Sequence, residues 1–518
     1  MDERVAAAWS VLPEYLGEHV LLSAAAMGLG LAFSLSLTIA AVRSPHVRWP
    51  VLLLASLVQT IPGLALLALF YPLLLALAAL SDRLFGQSFS ALGFLPSLLA
   101  LTLYSMLPVI RNGVTGILSL DPALIEAARG VGMTQSQRLT RVELPLAAPM
   151  LMAGIRTAAV WVIGAATLST PVGQTSLGNY IFSGLQVQNW VAVLFGCVAA
   201  AGLALIVDQL LALIETGVAR RSRVRISIGA LVLLAGIVSA AASRNDVDAA
   251  RYVIGAKNFS EQYILSALMA DRIAAEGGST VHRTGLGSAI VFDALAAGDI
   301  DAYVDYSGTI WANVMRRTDI PPREPLLREM SEWLDREHGI VMLGALGFEN
   351  AYALAMRRDR AAELGIRSIA DLAEHASTLT VGADFEFFAR PEWPALRDAY
   401  GLAFANRREF QSTFMYEAVT TREVDVITAF SSDGRIAANA LLVLEDPQGA
   451  ILPYDAIVLL AAKRRDDALL RRALEPLVGA ISVDLMREAN FRVDRGDEPE
   501  SPTAAARWLA TRAIASSQ

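Results

Sequence analysis

Long apolar runs in the first half of the chain constrain its fold more than any other feature. Residues 1–245 contain six runs with few charged side chains, whereas residues 250–518 carry dispersed charge. An apolar run of about 20 residues is long enough to cross a bilayer as a helix. We therefore predict an all-α polytopic membrane domain followed by a soluble α/β domain. The predicted spans are 18–42, 51–80, 91–110, 148–170, 190–215 and 226–243.

Two predicted spans carry features beyond hydrophobicity. The second contains Pro62, which is expected to kink or break the helix. The sixth follows a group of arginines and ends in the small residues 239–243, so it also resembles a secretory signal with a cleavage site. We favour an ordinary sixth span, followed by a linker at residues 244–250.

The placement of arginines predicts how the spans are oriented. The loops after the first, third and fifth predicted spans carry several arginines, whereas the other connecting loops hold only Arg83. Loops rich in arginine and lysine remain in the cytoplasm. The loop 121–147 is then expected inside, and the N-terminus and the second domain outside. The predicted boundaries are 1–245 for the membrane domain and 248–518 for the extracytoplasmic domain.

The polar loop 121–147 begins with signals for a short helix. Asp121 can cap a helix at its start, and Pro122 suits the first helical position. Glu126 lies near that start, where the helix dipole favours an acidic side chain. Gly132 suits a left-handed residue at the end of the helix.

A second short helix is predicted after Gly132. Thr134 and Gln137 can form a capping box at its start, and Pro145 is expected to stop it from continuing. The two helices would form a compact plug with a sharp bend. By itself, this pattern also fits an ordinary polar helix–turn–helix between two spans.

The spacing of residues in this loop resembles the EAA loop of bacterial ABC-importer permeases. That pattern is Glu-Ala-Ala, three residues, Gly, nine residues, an aliphatic residue, any residue and Leu-Pro, and every position matches. The resemblance implies that the loop docks the membrane domain onto a separate ATPase. The ATPase-coupling residues that it implies are Glu126, Ala127, Ala128, Gly132, Leu144 and Pro145.

The second domain has the pattern of alternating strands and helices. Residues 252–255 predict a buried strand, Ser260 can cap the helix that follows, and Gly277 with Gly278 would end that helix near residue 276. Such alternation predicts an α/β sheet with crossover connections. We therefore expect an open sheet, whose ligands bind beyond the carboxyl ends of its strands.

A weak internal repeat predicts two lobes in this domain. Segments 299–307 and 423–431 share an acidic residue, an aliphatic residue, Asp, a strand, an aromatic residue and Ser. Each lobe would present its aromatic residue and its serine to a shared cleft, so Tyr306 and Phe430 are expected to surround one ligand. The pattern alone fits equally well two aromatic residues that fill the cores of their lobes.

Several segments of the second domain resemble substrate-binding proteins for glycine betaine, choline and carnitine. The resemblance covers most of residues 251–518, and it implies a type II two-lobed periplasmic-binding-protein fold. It also implies uptake of quaternary-ammonium compatible solutes, or of a related betaine such as ergothioneine. Permease–receptor fusions occur in that family. The segments are Lys257–Gln262, Val304–Thr309, Gly347–Leu354, Phe387–Pro391 and Ala429–Arg435, with Gln59–Pro62 and Leu107–Asn112 resembling the matching permeases.

The chemistry of such solutes selects candidate ligand contacts. A quaternary ammonium has no N–H to donate, and aromatic faces hold it by cation–π attraction. A ligand carboxylate would need donors from side chains or helix N-termini. Phe388 fits the cage or the core equally well. The candidates are Phe259, Gln262, Tyr306, Ser307, Asn350, Tyr352, Arg390, Phe430, Ser431 and Tyr454, with Lys257 as a further donor.

Other function classes lack support in the sequence. The net charge of −8, with no basic cluster interleaved with aromatics, gives no hint of nucleic-acid binding. The single cysteine, Cys197, and five scattered histidines predict neither a disulfide framework nor a metal site. No G-x-x-x-x-G-K-[ST] phosphate loop and no nucleophile–base arrangement occurs. We therefore expect no catalysis and no cofactor.

The expected assembly is an importer in the bacterial inner membrane. Its expected partners are a separate ATP-binding cassette ATPase, a small zwitterionic or cationic solute, membrane lipid and a second copy of the membrane domain. A membrane-tethered solute sensor is the main alternative, and a passive channel would give the second domain no role. The EAA-like loop favours the importer.

Overall fold

The structure is a computed structural model that describes residues 3–86, 89–186, 189–245, 251–390, 392–495 and 499–513. The chain divides into two compact units, Met1–Phe182 with Val191–Ala249 and Ser183–Trp190 with Ala250–Gln518. Pro391 and most of the predicted linker 244–250 lie outside the described residues.

The first half of the chain forms helices, as its apolar runs predict. Among the residues that the structure describes, six helical stretches are long and apolar enough to cross a membrane, which confirms the all-α polytopic class. These stretches are Ala8–Arg43, Gly63–Phe85, Phe94–Leu118, Gln135–Val172, Trp190–Ala219 and Arg223–Ala242. The helices are α1 (Glu3–Arg43), α2 (Pro45–Thr60), α3 (Gly63–Phe85), α4 (Phe94–Leu118), α5 (Pro122–Gly130), α6 (Gln135–Arg138), α7 (Leu144–Ala166), α8 (Gly178–Gln186), α9 (Trp190–Ala219) and α10 (Arg223–Asn245).

The second predicted span, 51–80, is broken at Pro62. Helix α2 ends before Ile61, which is extended with ψ 126°, and α3 begins at Gly63. Proline has no N–H and its ring clashes with the preceding turn, so the helix does not run through it. The hydroxyl of Tyr104 donates to the carbonyl of Ile61 that this break leaves free. The membrane-length helix is therefore Gly63–Phe85.

The start of the loop 121–147 folds as its local signals predict. Asp121 Oδ1 accepts a hydrogen bond from the amide of Ala123 at 2.9 Å and so caps α5. Gly132 has φ 78°, the left-handed conformation expected after the helix. Thr134 and Gln137 form a reciprocal capping box at the start of α6, with distances of 3.3 and 3.0 Å.

The prediction that Pro145 ends the second short helix is wrong. Residues Leu139–Glu143 form a π-helical turn that joins α6 directly to α7. The amide of Leu144 donates to the carbonyl of Leu139, five residues back. This widened turn accommodates Pro145 in the first turn of α7, where its missing N–H costs little. The helical stretch therefore runs from the loop 121–147, which we call the coupling loop after its EAA-like spacing, into the fourth span.

Two five-stranded sheets form the second unit, which confirms the two-lobed α/β class. The strand orders are β2-β1-β3-β10-β4 and β7-β6-β8-β5-β9. The strands are β1 (Arg251–Lys257), β2 (Ser279–Leu286), β3 (Ala302–Tyr306), β4 (Val341–Glu349), β5 (Tyr352–Arg357), β6 (Thr380–Asp384), β7 (Asn406–Phe410), β8 (Val426–Phe430), β9 (Leu441–Val443) and β10 (Asp455–Leu460).

Helices connect and cover the strands of both sheets. They are α11 (Ser260–Ala275), α12 (Ser288–Ala296), α13 (Ser307–Thr309), α14 (Arg323–His338), α15 (Arg358–Leu364), α16 (Ile369–His375), α17 (Glu392–Tyr400), α18 (Ser412–Thr420), α19 (Arg435–Ala438), α20 (Ala468–Leu474), α21 (Val483–Asp494) and α22 (Pro502–Ala513). One detail differs from the prediction. Phe259 occupies the N-cap position of α11, and Ser260 is its first residue.

The two sheets share one plan, and the internal repeat marks its centre. In each sheet the central strand, β3 or β8, pairs in parallel on one side and antiparallel on the other. The aspartate before each central strand fixes the neighbouring strand. Asp301 accepts from the amide of Val253 at 2.8 Å, and Asp425 accepts from the amide of Thr380 at 2.9 Å. The repeated residues therefore hold equivalent places in the two lobes.

The chain crosses between the lobes twice. It passes from β4 to β5 at residues 350–351 and returns from β9 to β10 through residues 444–454. The antiparallel neighbour of each central strand is the strand that has just crossed over. Because both crossovers meet the ends of the central strands, the repeat and the crossovers together define the cleft.

Candidate functional site

A cleft between the two lobes brings together most of the predicted ligand contacts. It encloses about 1130 Å³ of empty space, including its opening to solvent. Residues at strand ends and helix starts of both lobes line it, as expected for open α/β sheets. The predicted contacts that line it are Phe259, Tyr306, Asn350, Tyr352, Arg390, Phe430 and Tyr454, with Lys257 beside them.

Aromatic rings face the cleft from both lobes. Phe259 and Tyr306 stack in the first lobe with 6.1 Å between their ring centroids. In the second lobe Tyr352 lies 4.9 Å from Phe430, and Tyr454 of the returning crossover lies 5.9 Å from Tyr352. The rings therefore form two clusters, one on each wall, as the repeat predicts for Tyr306 and Phe430.

The ring faces differ in what already covers them. The ammonium of Lys257 lies 5.2 Å from the centroid of Tyr306, whose other neighbour is Phe259. Over the described part of the chain, no lysine or arginine lies over Phe259 or Phe430. These two half-buried rings are the ones best able to offer a face to a cation in the cleft.

Glu261 is a buried carboxylate that joins the two walls. Its Oε1 accepts from the hydroxyl of Tyr306 at 2.6 Å and from the amide of Asn350 at 3.1 Å. Its Oε2 accepts from the hydroxyl of Ser432 at 2.5 Å and from the amide of Asn490 at 2.8 Å. Burial raises the pKa of Glu261, and these donors act in the opposite direction. The carboxylate thus ties residues of the first lobe to Ser432 in the second.

Each basic side chain that lines the cleft is already paired with a carboxylate. The pairs are Lys257–Asp305 at 2.5 Å, Arg390–Glu392 at 3.1 Å and Arg435–Asp433 at 2.6 Å. Glu261 and Asp384, by contrast, accept from neutral donors, which for Asp384 are the amides of residues 386 and 387. The lining holds three basic and five acidic side chains. This excess of negative charge favours a cationic group in the cleft.

Arg390 forms the centre of a polar cluster on the second wall. Its Nη2 donates to the hydroxyl of Tyr454 at 2.6 Å, and its guanidinium forms an ion pair with buried Glu392. The guanidinium carbon also lies 5.3 Å from the centroid of Tyr352. Arg390 therefore links the second lobe to the returning crossover through an ion pair, and it also lines the cleft as predicted.

Two predicted contacts, Ser307 and Ser431, face the crossovers instead of the cavity. Ser307 Oγ donates to the carbonyl of residue 453 at 3.0 Å and accepts from the amide of residue 455 at 2.9 Å. Ser431 Oγ donates to the carbonyl of residue 349 at 3.1 Å and accepts from the amide of residue 351 at 2.9 Å. Each serine therefore fastens the central strand of one lobe to a segment that crosses to the other.

Two further candidates support the walls from behind. Gln262 does not line the cleft; its Nε2 donates to the hydroxyl of Tyr306 and its Oε1 accepts from the amide of Lys257. Phe388 packs against Trp393, with 5.3 Å between ring centroids, and is also absent from the lining. Gln262 thus orients Tyr306, and half-buried Phe388 packs on Trp393 outside the cleft lining.

Several polar residues of the lining were not predicted from the sequence. Asp384 ends strand β6, and its position at the carboxyl end of a strand is a signal that could have found it. Glu261 stands inside a segment that was singled out for other residues. Asn490 and Asp494 lie on α21, far along the chain from the other lining residues. No local pattern marks these last two.

Asp494 is a lining residue whose carboxyl has a strongly raised pKa. Its side chain is 6% exposed, and burial raises its pKa to about 7, against the opposing effect of Arg435 at 3.9 Å. Neighbouring Asp433 and Glu261 raise it further, while the hydroxyl of Ser260 donates to it at 2.5 Å and lowers it. Near neutral pH the cleft therefore exchanges a proton at this residue.

This raised pKa predicts how the stability of the second unit depends on pH. A raised pKa means that the folded state holds a proton that the unfolded state releases near pH 4, so stability falls as pH rises from 4 to 7. Over this range the free energy of unfolding of the parent should fall by at least about 1 kcal/mol more than that of Asp494→Asn. The reason is that each pKa unit corresponds to about 1.4 kcal/mol. Urea titrations at pH 5 and pH 8 measure the difference. Equal pH dependence in the parent and the variant would contradict the assignment.

The coupling loop presents a mixed polar and apolar surface. Glu126, Ala127 and Gly132 are exposed, Pro145 is exposed and Leu144 is half-buried, whereas Ala128 packs inward. The apolar side chains Leu124 and Val131, 47% and 74% exposed, lie on the same short helix and its end. Exposed apolar residues on a short polar loop are typical of a protein contact surface.

Comparisons with known families match both halves of the chain. Residues 250–511 match the family described as the substrate binding domain of ABC-type glycine betaine transport systems. Residues 30–220 match the family described as the binding-protein-dependent transport system inner membrane component. The first match alone covers just over half of the 518 residues.

One relative matches both halves of the chain, and others match one half each. The ergothioneine transport permease/ergothioneine binding protein EgtU of Helicobacter pylori (strain G27) is 26% identical over 490 residues, which cover 90% of this chain and 84% of that protein. The glycine betaine/carnitine/choline permease OpuCB of Bacillus subtilis (strain 168) is 38% identical over 38% of this chain and 84% of its own length. A solved glycine betaine/carnitine/choline ABC transporter structure is 26% identical, with a TM-score of 0.45, over 50% of this chain and 97% of that one.

Two of these findings decide the classification. The receptor family matches more than half of the chain, and one relative matches along nine-tenths of it with a permease and a binding protein in one polypeptide. The permease match covers the span-rich half, which agrees with a protein of the inner membrane. The chain therefore belongs to the substrate-binding family of ABC-type glycine betaine transport systems, fused to an inner-membrane permease of the binding-protein-dependent type.

Proposed function

We propose that this permease–receptor chain imports quaternary-ammonium compatible solutes of the glycine betaine, choline or carnitine type. The observation that carries the solute class is the cleft, where aromatic rings on both walls surround a lining with more acidic than basic side chains. A cation that has no N–H gains little from paired carboxylates alone, but it gains from aromatic faces. Phe259 and Phe430 are the rings proposed to contact it first.

The remaining predicted contacts take distinct proposed roles around that cation. Tyr306, Tyr352 and Tyr454 complete the cage, and Asn350 and Arg390 supply polar contacts at its rim. Ser307, Ser431 and Gln262 are proposed to act indirectly, by holding the crossovers and the ring of Tyr306. Glu261 closes the two walls over the solute through Ser432.

The membrane half is proposed to work with a separate ATP-binding cassette ATPase. The EAA-like spacing and the exposed surface of α5 support docking on that partner. The proposed assembly contains two copies of the membrane domain in lipid, with residues 1–245 forming each membrane domain. Residues 248–518 are proposed to face outward, because the arginine-rich loops belong on the cytoplasmic side.

Ergothioneine is a second candidate solute, favoured by one observation. The H. pylori relative, described as an ergothioneine transport permease and binding protein, matches 90% of this chain, whereas the glycine betaine, choline and carnitine permeases match only the membrane half. Ergothioneine is also a trimethylated betaine, so the same rings can hold its ammonium group. It carries an imidazole-thione ring in addition.

Calorimetry on residues 248–518 distinguishes these solutes. We expect one-to-one binding of at least one among glycine betaine, choline, carnitine and ergothioneine, because the cleft offers one cluster of rings on each wall. Glycine, which lacks the methyl groups and the fixed positive charge, serves as the control ligand and should not bind. Failure of all four solutes to bind a folded receptor would reject the solute class and leave the permease–receptor architecture in place.

A further inference from the structure

Three charged side chains on two helices of the membrane half, α7 and α9, form ion pairs with one another. Arg156 of α7 contacts Asp208 of α9 through two parallel bonds, from Nε to Oδ1 at 2.9 Å and from Nη2 to Oδ2 at 2.9 Å. Its Nη1 donates to Oε2 of Glu215, also on α9, at 2.8 Å. We call Arg156, Asp208 and Glu215 the membrane triad.

Arg156 and Asp208 of the membrane triad lie deep in the spans, and Glu215 lies one turn before the end of α9. Arg156 stands 12 residues after the start of α7, or roughly 18 Å along the helix, and Asp208 stands 11 residues before the end of α9, or roughly 16 Å. Both positions fall near the middle of a hydrocarbon layer about 30 Å thick. Ionisable side chains at this depth are costly and mark functional positions in membrane proteins.

Stability alone does not explain the triad. Apolar residues of similar volume replace buried ion pairs in proteins at little or no cost, and apart from the triad α9 carries only two other polar side chains, Gln209 and Thr216. Of the described α9 residues only Gly196, Ala200 and Gly217 are buried. Apolar contact between helices has little driving force in lipid, because lipid tails are as apolar as the side chains. The triad is therefore a specific link between α7 and α9.

The two helices joined by the triad continue toward different segments of the chain. On one side, α7 continues through the π-helical turn into α6 and the coupling loop, and Arg138 is paired with Glu143 across that turn at 2.6 Å. On the other side, α9 packs tightly on α10, where a Cβ added to Gly229 would lie 2.6 Å from Ile214. The chain enters the receptor half shortly after α10 ends at Asn245.

We propose that Arg156 is a positioning residue that transmits movement of the coupling loop from α7 to α9 and α10, the helices that precede the receptor. This role rests on the proposed importer function. A guanidinium suits it because two carboxylates hold its planar fork in one orientation, so α7 cannot rotate or slide without moving α9. The solute-bound receptor and the ATPase are then coupled through one pair of spans.

The test replaces the whole triad with apolar residues. The full-length chain is reconstituted in proteoliposomes with its partner ATPase, and ATP hydrolysis and uptake are measured with glycine betaine, choline, carnitine and ergothioneine as probes. In the variant Arg156→Met/Asp208→Leu/Glu215→Leu we expect normal insertion, unchanged receptor affinity and at least a tenfold loss of uptake, with ATP hydrolysis no longer stimulated by solute. Arg156→Lys, which keeps the charge but not the fork, should fall between this variant and the parent.

The outcomes separate this inference from the function on which it rests. If the parent shows no stimulation by any of the four probes, the proposed function fails. If the parent is stimulated and the triple variant transports at the same rate, the triad has no role in coupling. Failure of the triple variant to accumulate in the membrane would also overturn the inference, because it would assign the triad to folding. Replacement of exposed Arg83 by Gln is the matched control and should leave coupling intact.

Discussion

Replacing Gly132 with leucine should abolish solute uptake while the receptor half binds solute as before. Gly132 lies exposed at the end of α5 with φ 78°, a conformation that disfavours any side chain by about 1–2 kcal/mol. A Cβ at this position would meet no atom of the chain within 4 Å. The variant should therefore keep its fold, and the new side chain would project where the ATPase is proposed to dock. Uptake is measured in cells at matched membrane levels of the chain.

The chain offers a matched control for backbone strain. Gly365 in the receptor half has φ 73° and equally open surroundings, so Gly365→Leu introduces the same left-handed strain far from the coupling loop in sequence. We expect this control to import solute normally. Normal uptake by Gly132→Leu, at parental expression, would show that the EAA-like loop is not the coupling surface.

Truncating Phe430 should weaken solute binding at least tenfold with little change in melting temperature. Its half-buried ring lines the cleft, and a desolvated cation–π contact is worth about 2 kcal/mol, or roughly a thirtyfold change in affinity. Tyr306→Ala should weaken binding and also lower the melting temperature, because the hydroxyl of Tyr306 bonds to buried Glu261. Calorimetry and thermal unfolding of the same samples separate the two effects.

A neighbouring ring that is absent from the lining provides the comparison. Phe388 packs on Trp393 outside the cleft lining, so Phe388→Ala should melt early and bind normally. If Phe430→Ala behaves in that way, its ring belongs to the core and the two-walled cage is wrong. Tyr306→Phe removes the hydrogen bond to Glu261 and should therefore cost stability even where the ring suffices for binding.

Short-range signals in the sequence were enough to predict local structure. The cap by Asp121 and the capping box of Thr134 and Gln137 form as predicted, because each pairs groups two or three residues apart. The break at Pro62 follows from the chemistry of one residue. The turn before Pro145 was not predicted, because whether a proline ends a helix depends on whether the preceding turn can widen.

The cleft could be predicted only in part, for a physical reason. The repeat located both central strands and the rings of Tyr306 and Phe430, since equivalent segments occupy equivalent places. It could not tell which neighbour of each ring points inward, and Ser307 and Ser431 point to the crossovers. Asn490 reaches Glu261 across 229 residues of sequence. Contacts of that range follow from how the helices pack, which no local pattern encodes.

The π-helical turn at Leu139–Glu143 determines how the exposed face of the coupling loop is rotated about the axis of α7. Each residue of an α-helix advances the direction of its side chain by about 100°, and a π-helical turn contains one residue more than the α-helical turn that it replaces. The number of residues in this turn therefore sets the direction, relative to α7, of the face that α6 and α5 present. Deleting one residue from this turn would convert it to a regular α-helical turn. The deletion would rotate that face by roughly a quarter of a revolution. For docking, the length of this segment then matters more than the identity of its side chains.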